Sequence, residues 1–296
     1  MQINGVEIDD EFAEAFSMAG CRAVVTAIDE EWAMAAALSA TGYGASVIAC
    51  DAEAGIERLL SPDETPDGRP GVSMLFFGFK KDALEKAVAK RVGQCVMTCA
   101  TTACFDGLPN AADRIVVGNS LRFFGDGHQS SKLLEGRRYW RIPTMDGEFV
   151  CEESFGTLKG VGGGNFFILA ANQALALTAA KSAVSAIERI EGVVTPFPGG
   201  VVRSGSKVGA KSYKNMIASI NEAYCPGLRG VGPSKLPLGV DCVYEIVIDG
   251  LSLSAVRQAM QVGIRAACRP GVVKITAGNY GGKLGKHFIR LHEILA

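Results

Sequence analysis

The sequence is poor in the residues and motifs on which many hydrolases depend. It contains only three histidines, His128, His287 and His292, and none of them forms an H-E-x-x-H pair. No G-x-S-x-G elbow is present, and no carboxylates cluster at the spacing of metal ligands. Because zinc and serine hydrolases rely on such motifs, the sequence favours neither class and predicts no metal site.

Net charge and long apolar runs are also lacking. The 30 Lys and Arg residues nearly balance the 31 Asp and Glu residues, so the net charge is −1. A balanced chain has no overall attraction to nucleic acid or to an anionic membrane surface. No apolar run is long enough to cross a bilayer, and the acidic start of the chain lacks the pattern of a secretion signal. We therefore expect no nucleic acid and no membrane among its partners.

The nine cysteines lack a C-x2-C pair and lie mostly in apolar stretches. The closest set, Cys95, Cys99 and Cys104, has no histidine nearby. An odd number of cysteines in this setting is typical of reduced thiols, so we expect buried small side chains and a cytoplasmic protein.

What the sequence does contain is a strand, a turn and an amphipathic helix that occur twice. The first copy runs from 72 to 93 and the second from 244 to 263. When Gly78 is aligned with Gly250, the apolar positions of the two helices coincide. This repeat predicts an α+β fold made of two duplicated halves, with helices on one face of antiparallel or mixed sheets.

Other segments fit the same arrangement. The apolar runs RAVVTAI and ASVIACD flank a predicted helix that ends at Gly42, and ALALTAAKSAVSAIERI predicts another helix. The stretch 107–150 contains two loop-like segments and is the predicted join. We therefore place an N-terminal lobe at residues 1–148 and a C-terminal lobe at 149–296.

Glycine is abundant, with 36 residues, and the excess is concentrated in predicted loops at 160–165, 196–209 and 276–287. None of these loops has the glycine spacing of a P-loop or of a dinucleotide-binding turn, so nucleotide cofactors have little support. Such loops either form tight turns or let backbone N–H groups approach an anionic ligand. The Lys, Arg, Ser and Asn residues within them favour an elongated anionic ligand.

The strand CVYEIVIDG, residues 242–250, carries Glu245 among apolar neighbours. Val243 and Val247 share its face, while Tyr244 and Ile246 share the other, so both faces are apolar. Glu245 therefore lies either on a solvated edge strand or in a site that raises its pKa.

Several long blocks resemble one known family. They are SPDETPDGRPG, RVGQCVMT, GGGNFF, PFPGGVVRSGSKVG, NEAYCP, VYEIVIDGL and TAGNYGGKLGKH. In this order they resemble formylmethanofuran:tetrahydromethanopterin formyltransferase over essentially the whole chain. The resemblance implies two ferredoxin-like α/β-sandwich lobes. It also implies formyl transfer between methanofuran and N5 of tetrahydromethanopterin as co-substrates, with no metal or tightly bound cofactor, and a homo-oligomer, often a tetramer.

The resemblance also implies a set of site residues. Glu245 falls at the family's cleft glutamate, and we expect it to act as a neutral carboxyl group. The other candidates are assigned from their loops. Those expected to hold anionic tails are Arg69, Arg203, Lys207 and Lys283. Those expected to line the pterin or formyl site are Asn165, Ser206, Asn279 and Tyr280.

Three alternatives remain open at this point. The blocks ATTACFDGLP and RRYWRIPTMDGEFVCEES look more like a bacterial subunit that hands the formyl group to a partner hydrolase for release as formate. The chain is then either a formyltransferase within that complex or a scaffold that only binds a carrier. An unrelated amide hydrolase is the third possibility, although no nucleophile or metal set supports it.

Overall fold

The computed structural model describes residues 1–296 and contains both helices and strands. The strands are β1 (Gln2–Ile3), β2 (Val6–Ile8), β3 (Phe12–Thr26), β4 (Glu53–Leu60), β5 (Gly71–Gly78), β6 (Ala103–Asp106), β7 (Asp113–Val116), β8 (Ser130–Leu134), β9 (Arg137–Thr144), β10 (Gly147–Glu152), β11 (Ser154–Ala170), β12 (Val193–Val194), β13 (Ser206–Val208), β14 (Ala218–Ile220), β15 (Cys242–Gly250), β16 (Val272–Thr276) and β17 (His287–Arg290). The α-helices are α1 (Glu30–Thr41), α2 (Lys81–Arg91), α3 (Gly118–Leu121), α4 (Gln173–Ile187), α5 (Leu253–Ala267) and α6 (Leu291–Leu295).

The chain divides into two compact units. The central unit is Met18–Gly160, and the terminal unit combines Met1–Ser17 with Val161–Ala296. These units do not coincide with a division after residue 148. Residues 1–17 belong to the terminal unit because β2 pairs with β16 and β17 pairs with the start of β3.

The central unit has the chain order β3, α1, β4, β5, α2, β6. Its strands pair antiparallel in the sheet order β6-β3-β5-β4. One face of this sheet packs against both helices, with Met74 and Phe76 of β5 fully buried beside Ala36 of α1 and Leu84 of α2. The α+β class predicted from the sequence is therefore confirmed in this unit.

The terminal unit has the same chain order, β11, α4, β12, β15, α5, β16. Its strands also pair antiparallel, in the sheet order β16-β11-β15-β12. Phe166 and Ile246 lie fully buried against Ala180 of α4 and Met260 of α5. Ser252 begins α5 as its N-cap and accepts a hydrogen bond from the backbone N–H of Ala255.

Some local predictions differ from the structure. The helix over α1 ends at Gly42 as expected, but the run 45–51 forms turns instead of a strand. Two backbone N–H groups of that run bond to the carbonyl of Ser46, and Asp51 pairs with Arg91, so local bonds replace a sheet ladder. The predicted join over 107–150 contains β7, β8 and β9, and β10 begins within it.

The two units differ in the connection between their second and third strands. In the central unit this connection is the short segment 61–70, whereas in the terminal unit it is the long segment 195–241, which we call the insert. The insert carries the short hairpin of β13 and β14 and three single-turn 3-10 helices, Pro198–Gly200, Glu222–Tyr224 and Pro226–Leu228. No helix of the structure is long and apolar enough to span a membrane.

Candidate active site

Glu245 lies in the middle of β15 and is held by backbone pairing on both sides. It lies opposite Phe167 of β11, and its N–H and C=O bond to Val202 of the insert at 2.9 and 2.8 Å. Phe167 in turn lies opposite Thr276 of β16. Residues directly opposite each other point to the same face of a sheet, so these three side chains share one face. The other face is the one that packs against α4 and α5.

The insert covers the face of the sheet that carries Glu245. Val240 is fully buried there with Phe167 and Leu169, and Tyr224 packs on the ring of Phe167 with centroids 4.8 Å apart. The covering is incomplete and leaves a pocket whose space of about 330 Å³ includes its opening to solvent. Its lining residues are Phe167, Val202, Arg203, Ser204, Gly205, Asn221, Tyr224, Cys225, Val243 and Glu245.

The carboxyl group of Glu245 has no hydrogen-bond or ion-pair partner in the protein. Its side chain is half-buried: part of it faces the pocket, while protein atoms surround the rest. Burial disfavours the charged form and raises the pKa of Glu245 from 4.5 to about 7. The direction agrees with the expectation from its apolar strand. Near neutral pH the pocket therefore contains a carboxyl group that is in large part protonated and able to donate a hydrogen bond.

The pocket wall beside Glu245 is aromatic. Burial raises the pKa of the Tyr224 hydroxyl, and a hydrogen bond with Thr276 opposes that change. The ammonium group of Lys235 lies 5.8 Å from the centre of the Tyr224 ring. Burial keeps Tyr224 neutral, and the contacts fix its ring against Phe167, so the wall is preformed.

The structure places the predicted cations in different settings. Arg203 lines the pocket, and its side chain is exposed and has no ion pair. Lys283 lies outside the pocket lining, in the loop 277–286, and is likewise exposed without an ion pair. Lys207 pairs with Glu222 within the insert, close to Ser206 at the exposed start of β13. Arg69 belongs to the central unit, where its guanidinium bonds to Asp67 at 2.8 Å and to the side chain of Thr26 and the carbonyl of Thr101.

The three remaining candidates lie around the loop 277–286, which we call the glycine loop. Asn165 is buried and uses its amide to bond Gly163 and both backbone groups of Gly278. Asn279 bonds the carbonyl of Phe12. Only Tyr280 keeps a side-chain polar group without a protein partner. The amides of Asn165 and Asn279 therefore shape this loop.

Sequence reasoning missed a second buried glutamate, Glu14 on β3. Its carboxylate is 1% exposed and accepts hydrogen bonds from four backbone N–H groups of the glycine loop. Burial alone raises the pKa of Glu14, but these four bonds outweigh burial and lower it. The signal was available, because Glu14 lies between Ala13 and Ala15 in an apolar strand, as Glu245 does in CVYEIVIDG. Asn221, Tyr224 and Cys225 were also missed as individual residues, although they stand in the block NEAYCP.

Family models match nearly the whole chain. The model described as formylmethanofuran-tetrahydromethanopterin formyltransferase matches residues 1–144, and the model described as FTR, proximal lobe, matches residues 147–294. A formylmethanofuran–tetrahydromethanopterin formyltransferase from Methylobacillus flagellatus is 54% identical, and the match covers 100% of both chains.

Two solved structures are similar over the same extent. The formylmethanofuran:tetrahydromethanopterin formyltransferase from Methanosarcina barkeri is 52% identical with a TM-score of 0.95, covering 99% of this chain and 100% of that one. A chain of the formyltransferase/hydrolase complex from Methylorubrum extorquens, solved in complex with methylofuran, is 49% identical with a TM-score of 0.97. That match covers 100% of this chain and 99% of that one.

Proposed function

The chain belongs to the formylmethanofuran–tetrahydromethanopterin formyltransferase family, and from that premise we propose how Glu245 performs its reaction. The protein is a formyltransferase that moves a formyl group between formylmethanofuran and N5 of tetrahydromethanopterin. Its co-substrates are the two carriers, and we propose that it needs no tightly bound cofactor.

The chemistry demands a group that stabilises negative charge. A formamide is a poor acyl donor, and attack by N5 on its carbonyl carbon moves the π electrons onto oxygen to form a tetrahedral adduct. The adduct collapses when its bond to the methanofuran nitrogen breaks, and the proton from N5 ends on that departing amine. The site must therefore stabilise an oxyanion and help one proton move between two nitrogens.

The observation that carries the proposal is the unpartnered carboxyl group of Glu245 in the pocket. With its pKa near 7, the neutral form is available to donate a hydrogen bond to the developing oxyanion. No protein donor competes for the carboxyl group, and backbone pairing with Val202 fixes its place. The preformed wall of Phe167 and Tyr224 supports orientation of the carriers, which supplies much of the rate in a reaction between two large molecules.

The other site residues divide by how fully they are already bonded. Arg203, Ser206 and Lys283 have side-chain groups free to meet the carriers, and we propose Arg203 and Lys283 for their anionic tails. Tyr280 lines the pterin or formyl site. Asn165 and Asn279 act through the shape of the glycine loop. Arg69 and Lys207 contribute to substrate binding only if they exchange their present partners for a carrier.

The fold and assembly carry proposals of their own. The shared chain order and sheet order support an origin of both units by duplication of one ferredoxin-like lobe. We further propose a cytoplasmic homotetramer. The match to a chain of a formyltransferase/hydrolase complex supports a second candidate function, in which the protein hands the formyl group to a partner hydrolase for release as formate.

The decisive experiment replaces Glu245 with glutamine and assays the purified chain with both carriers. We expect Glu245→Gln to lower kcat by about 100-fold or more, because an amide N–H is far less acidic than a carboxyl O–H, so it donates a weaker hydrogen bond to the oxyanion and cannot release its proton, while KM for each carrier changes about threefold or less. The matched control is Glu31→Gln at the exposed start of α1. Near wild-type turnover by Glu245→Gln removes Glu245 from the mechanism.

The same assay separates the alternatives and tests the protonation state. Transfer by the purified chain supports the enzyme, no transfer supports a scaffold, and release of formate by the chain alone supports a hydrolase. Because the protonated form of Glu245 is the active one, kcat should fall about tenfold per pH unit above pH 7. The titratable and charged groups around Glu245 are Arg203, Tyr224 and Cys225 in the pocket and Tyr280 on the glycine loop. A rate that rises through pH 7 contradicts the proposed role.

A further inference from the structure

The carboxylate of Glu14 binds the glycine loop at four points. One oxygen accepts the N–H groups of Tyr280 and Gly282 at 2.7 and 2.9 Å, and the other accepts those of Leu284 and Gly285 at 2.6 Å each. Four convergent N–H donors around one anion form a nest of the kind that proteins use to bind phosphate or carboxylate ligands. Here the occupant is a side chain of the protein itself, so the loop is wound around Glu14.

The glycines of the loop are required by this winding. Gly281 and Gly282 have φ angles of 69° and 73°, in the left-handed region that glycine adopts without strain. At Gly285 a Cβ atom would lie 2.7 Å from Cγ of Glu14 and 2.6 Å from the carbonyl oxygen of Ala15. The loop therefore approaches Glu14 more closely than any other residue type at position 285 permits.

The winding determines where Tyr280 lies. Its backbone N–H is one of the four donors, and its ring packs near Phe16 of the same strand as Glu14, with centroids 6.1 Å apart. Its hydroxyl group has no hydrogen-bond partner. Burial, and after it the negative charges of Glu245 and Glu14, raise the pKa of that hydroxyl. Tyr280 is thus neutral, unpartnered and within electrostatic reach of both glutamates.

We propose that Glu14 is a positioning residue for formyl transfer, which fixes the place of Tyr280 by anchoring the glycine loop. The inference rests on the proposed role of Glu245 and extends it to a pair of buried acids. Glu245 meets the reacting atoms in its neutral form. Glu14 stays ionised and never touches them, and it acts only through the loop.

A double-mutant cycle tests whether Glu14 acts through Tyr280. In Glu14→Gln the amide nitrogen faces two loop N–H groups that it cannot accept, so two of the four bonds are lost. We expect about a tenfold loss of kcat from Glu14→Gln, and about the same from Tyr280→Phe. The double variant should also lose about tenfold, since the hydroxyl that Glu14 positions is already absent. A loss of about 100-fold in the double variant overturns the proposal, as does an unchanged kcat in Glu14→Gln.

A second readout follows the tyrosine itself. The titration of Tyr280 is isolated by subtracting the ultraviolet pH difference spectrum of Tyr280→Phe from that of the parent. In Glu14→Gln it should move to lower pH, because the charge of Glu14 is removed and the ring is less enclosed. An unmoved titration identifies Glu14 as a structural anchor alone and overturns the positioning role.

Two further variants serve as the control and as the alternative to Glu14→Gln. Asp106→Asn is the matched exchange in the central unit, where Asp106 is 4% exposed and accepts the backbone N–H groups of Leu108 and Gly156 on one oxygen and the guanidinium of Arg114 on the other. It should leave kcat and the Tyr280 titration unchanged. If Glu14→Gln does not fold, Gly285→Ala displaces the loop while keeping the carboxylate, and it should reproduce the loss of kcat. If Glu245→Gln keeps its kcat while the double variant of Glu14 and Tyr280 loses only about tenfold, the proposed role of Glu245 is wrong and the link between Glu14 and Tyr280 still holds.

Discussion

β5 and β15 are the third strands of their units and occupy the same place in the two sheets. The acids at or beside this place differ in their hydrogen bonding. With Gly78 aligned to Gly250, Ser73 of β5 corresponds to Glu245 of β15. Ser73 is buried and donates a hydrogen bond of 2.6 Å to Glu57, which also accepts from Arg22 at 2.8 Å. The carboxylate of Glu57 thus accepts hydrogen bonds from two side chains, whereas the carboxyl group of Glu245 has no donor in the protein.

This difference separates an acid bonded within the fold from the acid for which we propose a role in the reaction. The carboxylate of Glu57 has an arginine and a hydroxyl partner, so its loss would leave the guanidinium of Arg22 without this partner within the fold. An unpartnered carboxyl group in a pocket destabilises the folded protein when it ionises, so packing gives no reason to retain it. The long insert that creates the pocket occurs only in the terminal unit, and the corresponding connection 61–70 is short.

The largest effect on stability is expected at Glu57. In Glu57→Gln one oxygen becomes an amide that faces the guanidinium of Arg22, which breaks a pair whose carboxylate side chain is 2% exposed. The free energy of unfolding should fall by about 3 to 5 kcal/mol, while kcat stays unchanged. Urea denaturation beside the formyl-transfer assay measures both. A loss of kcat without a loss of stability would show that the two units are not divided in this way.

The opposite change is expected from Glu245→Gln. The pKa of Glu245 is about 7 in the folded protein and 4.5 when unfolded, so the folded state binds more protons between these values. Stability is therefore lost as the pH rises from about 4.5 to 7, and by pH 8 the ionised carboxylate costs about 2 to 3 kcal/mol.

Glutamine mimics the neutral acid, so the variant should be more stable than the parent at pH 8 and no more stable at pH 4.5. Urea midpoints at the two pH values measure this crossover, with Glu31→Gln as the exposed control. A variant that is less stable at pH 8 would mean that Glu245 has a partner in the folded protein.

The α+β class and the unusual setting of Glu245 were predictable from the sequence because both leave a local pattern, whereas the role of Glu245 stays a prediction. The repeated strand and helix appear as periodic apolar positions, and an acid between Tyr244 and Ile246 is conspicuous in a strand. The bonding of Glu14 to Tyr280 and Gly285 was not predictable, because it joins residues about 270 positions apart in sequence. The commitment of Lys207 to Glu222 likewise depends on how the insert folds, which its glycine-rich composition does not determine.

The smallest effect is expected at Ser73, the residue that corresponds to Glu245. Ser73→Ala removes one hydrogen bond to the Glu57 carboxylate but leaves the pair with Arg22 intact, so the free energy of unfolding should fall by about 1.5 kcal/mol. The fully exposed strand β8 offers Ser130→Ala as a control with almost no change. Formyl transfer should be unaffected, because the central unit uses this position for pairing. A Ser73→Ala variant with wild-type stability but slower formyl transfer would mean that β5 also contributes to the reaction, and the difference between β5 and β15 would then not hold.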